Sequence, residues 1–140
     1  MATTSKNIIH LQGNPILNED GVAGEAITPG HLVTGVGTLV KNATADAVCA
    51  VTVALEREEM NKGITDDYAS GDTVKVAAYN PGERFLGIIL SGVSVSEGAF
   101  LTSAGNGTLK AGAAAVACAR SLEAITAATT GNTRIRVEVL

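Results

Sequence analysis

The side chains able to do chemistry are few and scattered. His10 and His31 are the two histidines, and Cys49 and Cys118 the two cysteines. Nucleophilic catalysis needs a Ser or Cys with a base in reach and a third group to orient that base. No Gly-x-Ser-x-Gly turn occurs, and each cysteine lies in a run of small apolar residues, Ala47-Val48-Cys49-Ala50-Val51 and Ala115-Val116-Ala117-Cys118-Ala119. Such surroundings raise a thiol pKa and leave it inert. The cysteines therefore read as buried free thiols, with a symmetric pair between the repeats as the alternative; no disulfide is expected. A catalytic His31 would need an acid from the segment Glu56–Asp72 beside it. Zinc would need these Cys and His residues clustered, and Asp66-Asp67 with Asp72 lack the ligand order of an EF-hand, so they read as a hydrated loop. Gly35-Val36-Gly37 and Gly105-Asn106-Gly107 look superficially like phosphate loops, but neither leads into Lys-Ser/Thr or a helix. Glu83 and Glu97 fall in turns, which gives no ground for an acid-base pair. The expectation is a protein that is not an enzyme and holds no cofactor and no metal.

The elements that must position these residues come in two copies. Ile27-Thr28-Pro29-Gly30-His31-Leu32-Val33-Thr34 returns 68 residues on as Val95-Ser96-Glu97-Gly98-Ala99-Phe100-Leu101-Thr102. Each copy then passes through glycines into a Thr-Leu pair, Thr38-Leu39 and Thr108-Leu109, and on to a cysteine-bearing small-residue strand. Repetition at this period points to two pseudo-equivalent β units sharing a core, about 27–55 and 95–123, and explains the motif glycines as turn formers. Turn signals recur at short spacing from Thr28-Pro29-Gly30 through Asn80-Pro81-Gly82 to Thr130-Gly131-Asn132, as in a small barrel or sandwich. The clearest strands are 73–77, 84–90 and Arg134–Val139, the last alternating charged and apolar residues as a half-buried antiparallel strand does. Leu140, at the end of that strand, is expected to be packed. Helix propensity peaks over 53–60, about two turns, and 119–125 could be strand or short helix. The fold class is all-β: a compact small barrel or sandwich of short antiparallel strands with an internal pseudo-repeat, an extended N-terminal arm and at most one short helix.

Composition bounds the rest. A chain of 140 residues fits one domain able to bury roughly 68–70% of its unfolded surface. With 3% aromatics and no Trp, its core must be Val, Ile, Leu and Ala, which suits strands. The net charge of −4 argues against nucleic acid as a direct ligand. Six acids against two bases between Glu56 and Asp72 carry that whole excess, marking a solvated acidic face or a docking surface for a basic partner. Residues 1–20 read as an extended arm with two apolar patches, Ile8-Ile9-Leu11 and Ile16-Leu17, broken by Gln12-Gly13-Asn14-Pro15. Residues 21–140 form the single β-barrel domain. No signal-peptide run and no stretch of ~20 apolar residues is present, so a cytoplasmic, non-membrane protein is expected.

Laid out this way, the chain resembles the small capsid cement, or head decoration, proteins of tailed bacteriophages. The carriers are Ile27-Thr28-Pro29-Gly30-His31-Leu32-Val33, Ala69-Ser70-Gly71-Asp72-Thr73-Val74-Lys75-Val76, Val95-Ser96-Glu97-Gly98-Ala99-Phe100-Leu101, and Leu122-Glu123-Ala124 through Gly131-Asn132-Thr133-Arg134-Ile135-Arg136-Val137. The resemblance implies a β-barrel subunit on the capsid exterior of the virion, made in the host cytoplasm. It further implies a homo-oligomer, a trimer or else a dimer, clamping neighbouring copies of the major capsid protein. On that reading Ile8, Ile9, Leu11, Ile16 and Leu17 contact the capsid, the arm adding a strand to an exposed sheet edge. Deleting residues 1–17 would then abolish binding and leave melting nearly unchanged. The rival readings are a receptor- or glycan-binding β module of a phage tail or adhesin, and a small enzyme with its site at the barrel mouth.

Overall fold

The computed structural model describes residues 8–128 and 133–140. Met1 to Asn7 and the turn expected at Thr130-Gly131-Asn132 lie outside the described residues. The described residues form eleven strands: β1 (His10–Gln12), β2 (Ile16–Ala23), β3 (Val33–Thr34), β4 (Thr38–Lys41), β5 (Thr52–Ala54), β6 (Thr73–Ala78), β7 (Arg84–Ile89), β8 (Phe100–Gly105), β9 (Thr108–Ala111), β10 (Ala119–Ser121) and β11 (Thr133–Val139). The fold is all-β, as its alternating apolar residues and closely spaced turns require.

The repeat is realised as two small closed units. In the first, the order β3-β4-β2-β6-β5 is closed by the Leu32–Val53 bridge. In the second, β7, β11, β10, β8 and β9 form the equivalent ring, closed by the β7–β9 pairing. Backbone bonds match one for one. His31 N–H donates to Thr28 O as Ala99 N–H does to Ser96 O, and Ala54 N–H donates to His31 O as Ser121 N–H does to Ala99 O. The duplication is therefore longer than the 27–55 and 95–123 segments, running from β2 to β6 and from β7 to β11.

Each ring contains one parallel pair, β2 with β4 and β7 with β9. An all-antiparallel barrel was expected, but a closed ring of five strands cannot alternate direction all the way round. The helix expected over 53–60 is instead the end of β5 followed by a 3-10 turn, Glu58–Met60, ended by Asn61 in the left-handed region (φ 57°). Val53 and Leu55 alternate into the core there, and packing overrides propensity. At the C-terminal end Leu140 is 42% exposed, not packed; its N–H is held by Cys118 O.

Residues 1–20 are not a separate arm where the structure describes them. β1 pairs with β7, and the first half of β2 pairs with β6. The Gly13 turn, at φ 110°, only redirects the chain from one sheet to the other. One hydrophobic cluster joins the two units, with Leu32, Val53 and Leu55 of the first packed with Phe85, Ile89 and Val137 of the second, and Ile9, just before β1, within it.

The β3–β4 hairpin gives a test of its glycines. A Cβ on Gly35 (φ 124°) would lie 2.2 Å from Thr38 O, whereas one on Gly37 (φ 78°) meets nothing within 4 Å. Gly37→Ala is expected to cost about 1 kcal/mol, from the left-handed backbone alone. Gly35→Ala should cost about 2–3 kcal/mol, because the backbone must also move. Urea titrations of both variants check this; equal losses would contradict it.

Candidate interaction surface

The segment that leads into the barrels is clamped by two carboxylates. Glu56, buried, accepts from Ile9 N–H at 3.1 Å, and Ile9 O in turn accepts from Leu86 N–H at 2.8 Å. Glu83 accepts from Asn80 N–H at 2.7 Å and from Asn14 N–H on its other oxygen. Those backbone donors hold the Glu83 carboxyl below its ordinary range, the Asn80 bond contributing most. Between the clamps His10 Nδ1 lies 3.0 Å from Tyr79 OH, and the Tyr79 ring stacks on His10 and on Phe85. Burial, with Glu56 and Glu83 nearby, pushes the Tyr79 phenol up, so it stays neutral. Both Glu83 oxygens are taken up by turn N–H groups and Glu97 is exposed in its own turn, so the two make no acid-base pair.

This clamping sorts the five expected contact residues. Ile9 is fully buried and so is not part of the contact surface expected of it, while Leu11 is half-buried against the same core. The reason is that the segment carrying them lies along the outer edge of β7 with these side chains turned onto the core that joins the two units. Ile8, Ile16 and Leu17 are exposed at 44%, 69% and 56%. They are joined by Val22 and by Val36 at the tip of the β3–β4 hairpin, neither of which stood out in the sequence. Ile16 and Val36 line one groove of about 330 Å³. Ile8 and Leu17 line another of similar volume, floored by Leu55 and Glu56.

The remaining chemical candidates have these partners within the fold. His31 is buried, and its Nδ1 accepts from Thr28 N–H at 3.0 Å, closing the Thr28-Pro29-Gly30 turn. Burial, then Lys41, push its pKa down to about 4 against the opposing pull of Asp67. Asp67 is thus within electrostatic reach, as a barrel-mouth site would need, but the imidazole is held neutral with one nitrogen committed. Arg134 stitches this corner by donating from Nε and Nη2 to Pro29 O. Cys49 and Cys118 come together: the interaction of their thiols lowers Cys49 and raises Cys118, so the expectation of two buried, raised thiols holds for Cys118 and fails for the half-buried Cys49; both are free. They are not equivalent positions, since Cys118 O and Val51 O accept the matching bonds, from Leu140 and Tyr79. In the acidic segment Asp66 and Asp72 cap turns by accepting from Gly63 N–H at 2.7 Å and Ala69 N–H at 2.8 Å, and Glu59 faces Arg57 and Lys75. Among the described residues no group of three or more His, Cys, Asp or Glu could hold a metal ion, and no helix is long and apolar enough to cross a membrane. Among the described residues the surface that stands out is thus apolar.

No protein-family model matches the chain, and no curated protein matches it in sequence. Among solved structures it is similar to the crystal structure of the head fiber gp8.5 N base in bacteriophage phi29, with 13% identity, a TM-score of 0.58, and coverage of 91% of this chain and 93% of that one. At this identity the likeness is one of fold, and it extends over both closed units.

Proposed function

We propose that the chain is a non-enzymatic structural protein of a phage virion, a cement or decoration subunit that binds the head exterior and bridges copies of the major capsid protein. The observation that carries this reading is the near whole-chain correspondence of fold with a phage head fiber base. It agrees with the family resemblance of the sequence, which further implies a homotrimer. The apolar surface supports it too, since Ile16 and Leu17 are exposed on β2, which is paired with β6, and exposed Ile8 adjoins the buried Ile9, so all three are held by the core. A glycan-binding role is disfavoured by the aromatic residues: Tyr68, Tyr79 and Phe85 are buried, and Phe100 lies under the Arg120 guanidinium.

Binding of purified protein to heads that lack it tests this reading. The triple variant Ile8→Ser, Ile16→Ser, Leu17→Ser should keep its melting transition, because all three side chains are exposed, and lose head binding by at least about tenfold. Unchanged binding by that variant would overturn the assigned surface. Failure of the unmodified protein to bind heads would overturn the function.

A further inference from the structure

The two units differ in one respect that their shared topology makes conspicuous. In the second unit the outer edge of β7 is covered by β1; in the first, no described residue pairs with the matching edge of β2 around Leu17. The bonding direction can be followed residue by residue. Leu55 N–H donates to Lys75 O, and Tyr79 N–H donates to Val51 O, so the odd-numbered residues of β6 face β5. Val76 and Ala78 therefore face β2, where their partners are Asn18 and Ile16. Leu17, between these two, points its N–H and C=O away from β6. Its counterpart is Arg84: Val139 N–H donates to Glu83 O, so Arg84 and Leu86 face away from β11, and there Leu86 N–H is bonded to Ile9 O, just before β1. β4 covers only Val22 and Ala23 of β2.

We infer that the free edge of β2 around Leu17 is a strand-acceptor site, taking from a second protein an extended segment that is aliphatic at alternate positions and carries a cation. The strand character follows from β1, which shows what the equivalent edge binds: three residues paired with Arg84 and Phe85 and an aliphatic side chain sunk into the core. The aliphatic character follows from exposed Leu17 on the strand itself and from exposed Ile16 and Val36, which line the 330 Å³ groove beside it. The cation follows from Glu19 and Asp20, exposed at the bulge of the same strand with no ion pair among the described contacts. Those charges and the bulge also argue against a second copy, since two β2 edges side by side would bring four carboxylates to one seam. The chain's own β1 is not free to supply the strand, because Ile9 is buried and its N–H is held by Glu56. The inference stands whether or not the protein works on a phage head.

A synthetic peptide of the sequence Ser5-Lys6-Asn7-Ile8-Ile9-His10-Leu11-Gln12, blocked at both ends, is the natural probe, as it contains the strand that fits the sister edge. Titrated into the intact protein and followed by anisotropy and amide hydrogen exchange, it should bind and slow exchange at Leu17. Leu17→Pro removes the one edge-facing N–H while leaving the bonds to β6, so binding should weaken at least about tenfold with melting little changed. Glu19→Lys with Asp20→Lys gives a second reading that does not disturb the backbone: binding should fall, and a Lys6→Glu peptide should restore it. Absence of binding at millimolar peptide would overturn the inference. So would equal binding to all variants, protection appearing on β7 because the peptide has displaced β1, or self-association of the protein that Leu17→Pro abolishes.

Discussion

Replacing Ile9 by Ala should lower the stability of this protein by about 2–5 kcal/mol, the range for truncating a fully buried Ile. The expectation rests on its place in the cluster that joins the two units, in contact range of no solvent. The cavity left would lie beneath β1, whose hold on β7 is only two paired positions, so the strand should loosen as well. A fall in melting temperature on the order of 10 °C would accompany the loss. Removing residues 1–17 altogether should do more, because it takes away β1, the Glu56 and Glu83 clamps on it, and the first residues of β2. This reverses what the sequence suggested for a free arm. Ile8→Ala is the control: at 44% exposure it should change stability by under about 1 kcal/mol. Denaturant titrations in which Ile9→Ala and Ile8→Ala behave alike would contradict the placement of β1.

Acidification should weaken the fold through His31. The ordinary imidazole pKa is 6.5, and burial brings His31 down to about 4. Between those values the unfolded chain binds a proton that the folded one refuses, so folding stability falls as pH falls. The contribution of the neutral ring is whole above about pH 6.5 and is lost by about pH 4, a change of about 3 kcal/mol. Protonation would also deprive Thr28 N–H of its acceptor. Carboxylates titrate over part of the same window, so the informative quantity is the difference between the wild type and His31→Asn, which keeps a side-chain acceptor without titrating. The wild-type curve should be steeper between pH 6.5 and 4, and parallel curves would sink the assignment.

Much of the architecture was legible because it was written twice. The Thr28-Pro29-Gly30 and Ser96-Glu97-Gly98 turns, with their glycine hairpins, announce two equivalent units, and the backbone bonds at His31 and Ala99 bear this out. The parts that were not legible depend on distant partners. Nothing around Ile9 tells that Glu56, 47 residues away, will bond its N–H, nor that Glu83 will cap a turn 69 residues upstream. In the sequence Glu56 belongs to the acidic face and Glu83 is only a turn residue. The cysteines misled for a related reason: the segment from β4 to β5 is longer than that from β9 to β10, so residues aligned by composition slip out of structural register. Leu17 shows the limit most plainly, since its side chain suggested a contact but only the strand register shows which way its backbone faces.

The proposed place of this protein on the phage head is tested by fractionating the source lysate on a density gradient and measuring the chain in each fraction by mass spectrometry. A head subunit should sediment with DNA-filled heads at a copy number near that of the major capsid protein. Heads that sediment without it, with the chain left in the soluble fractions, would overturn that role.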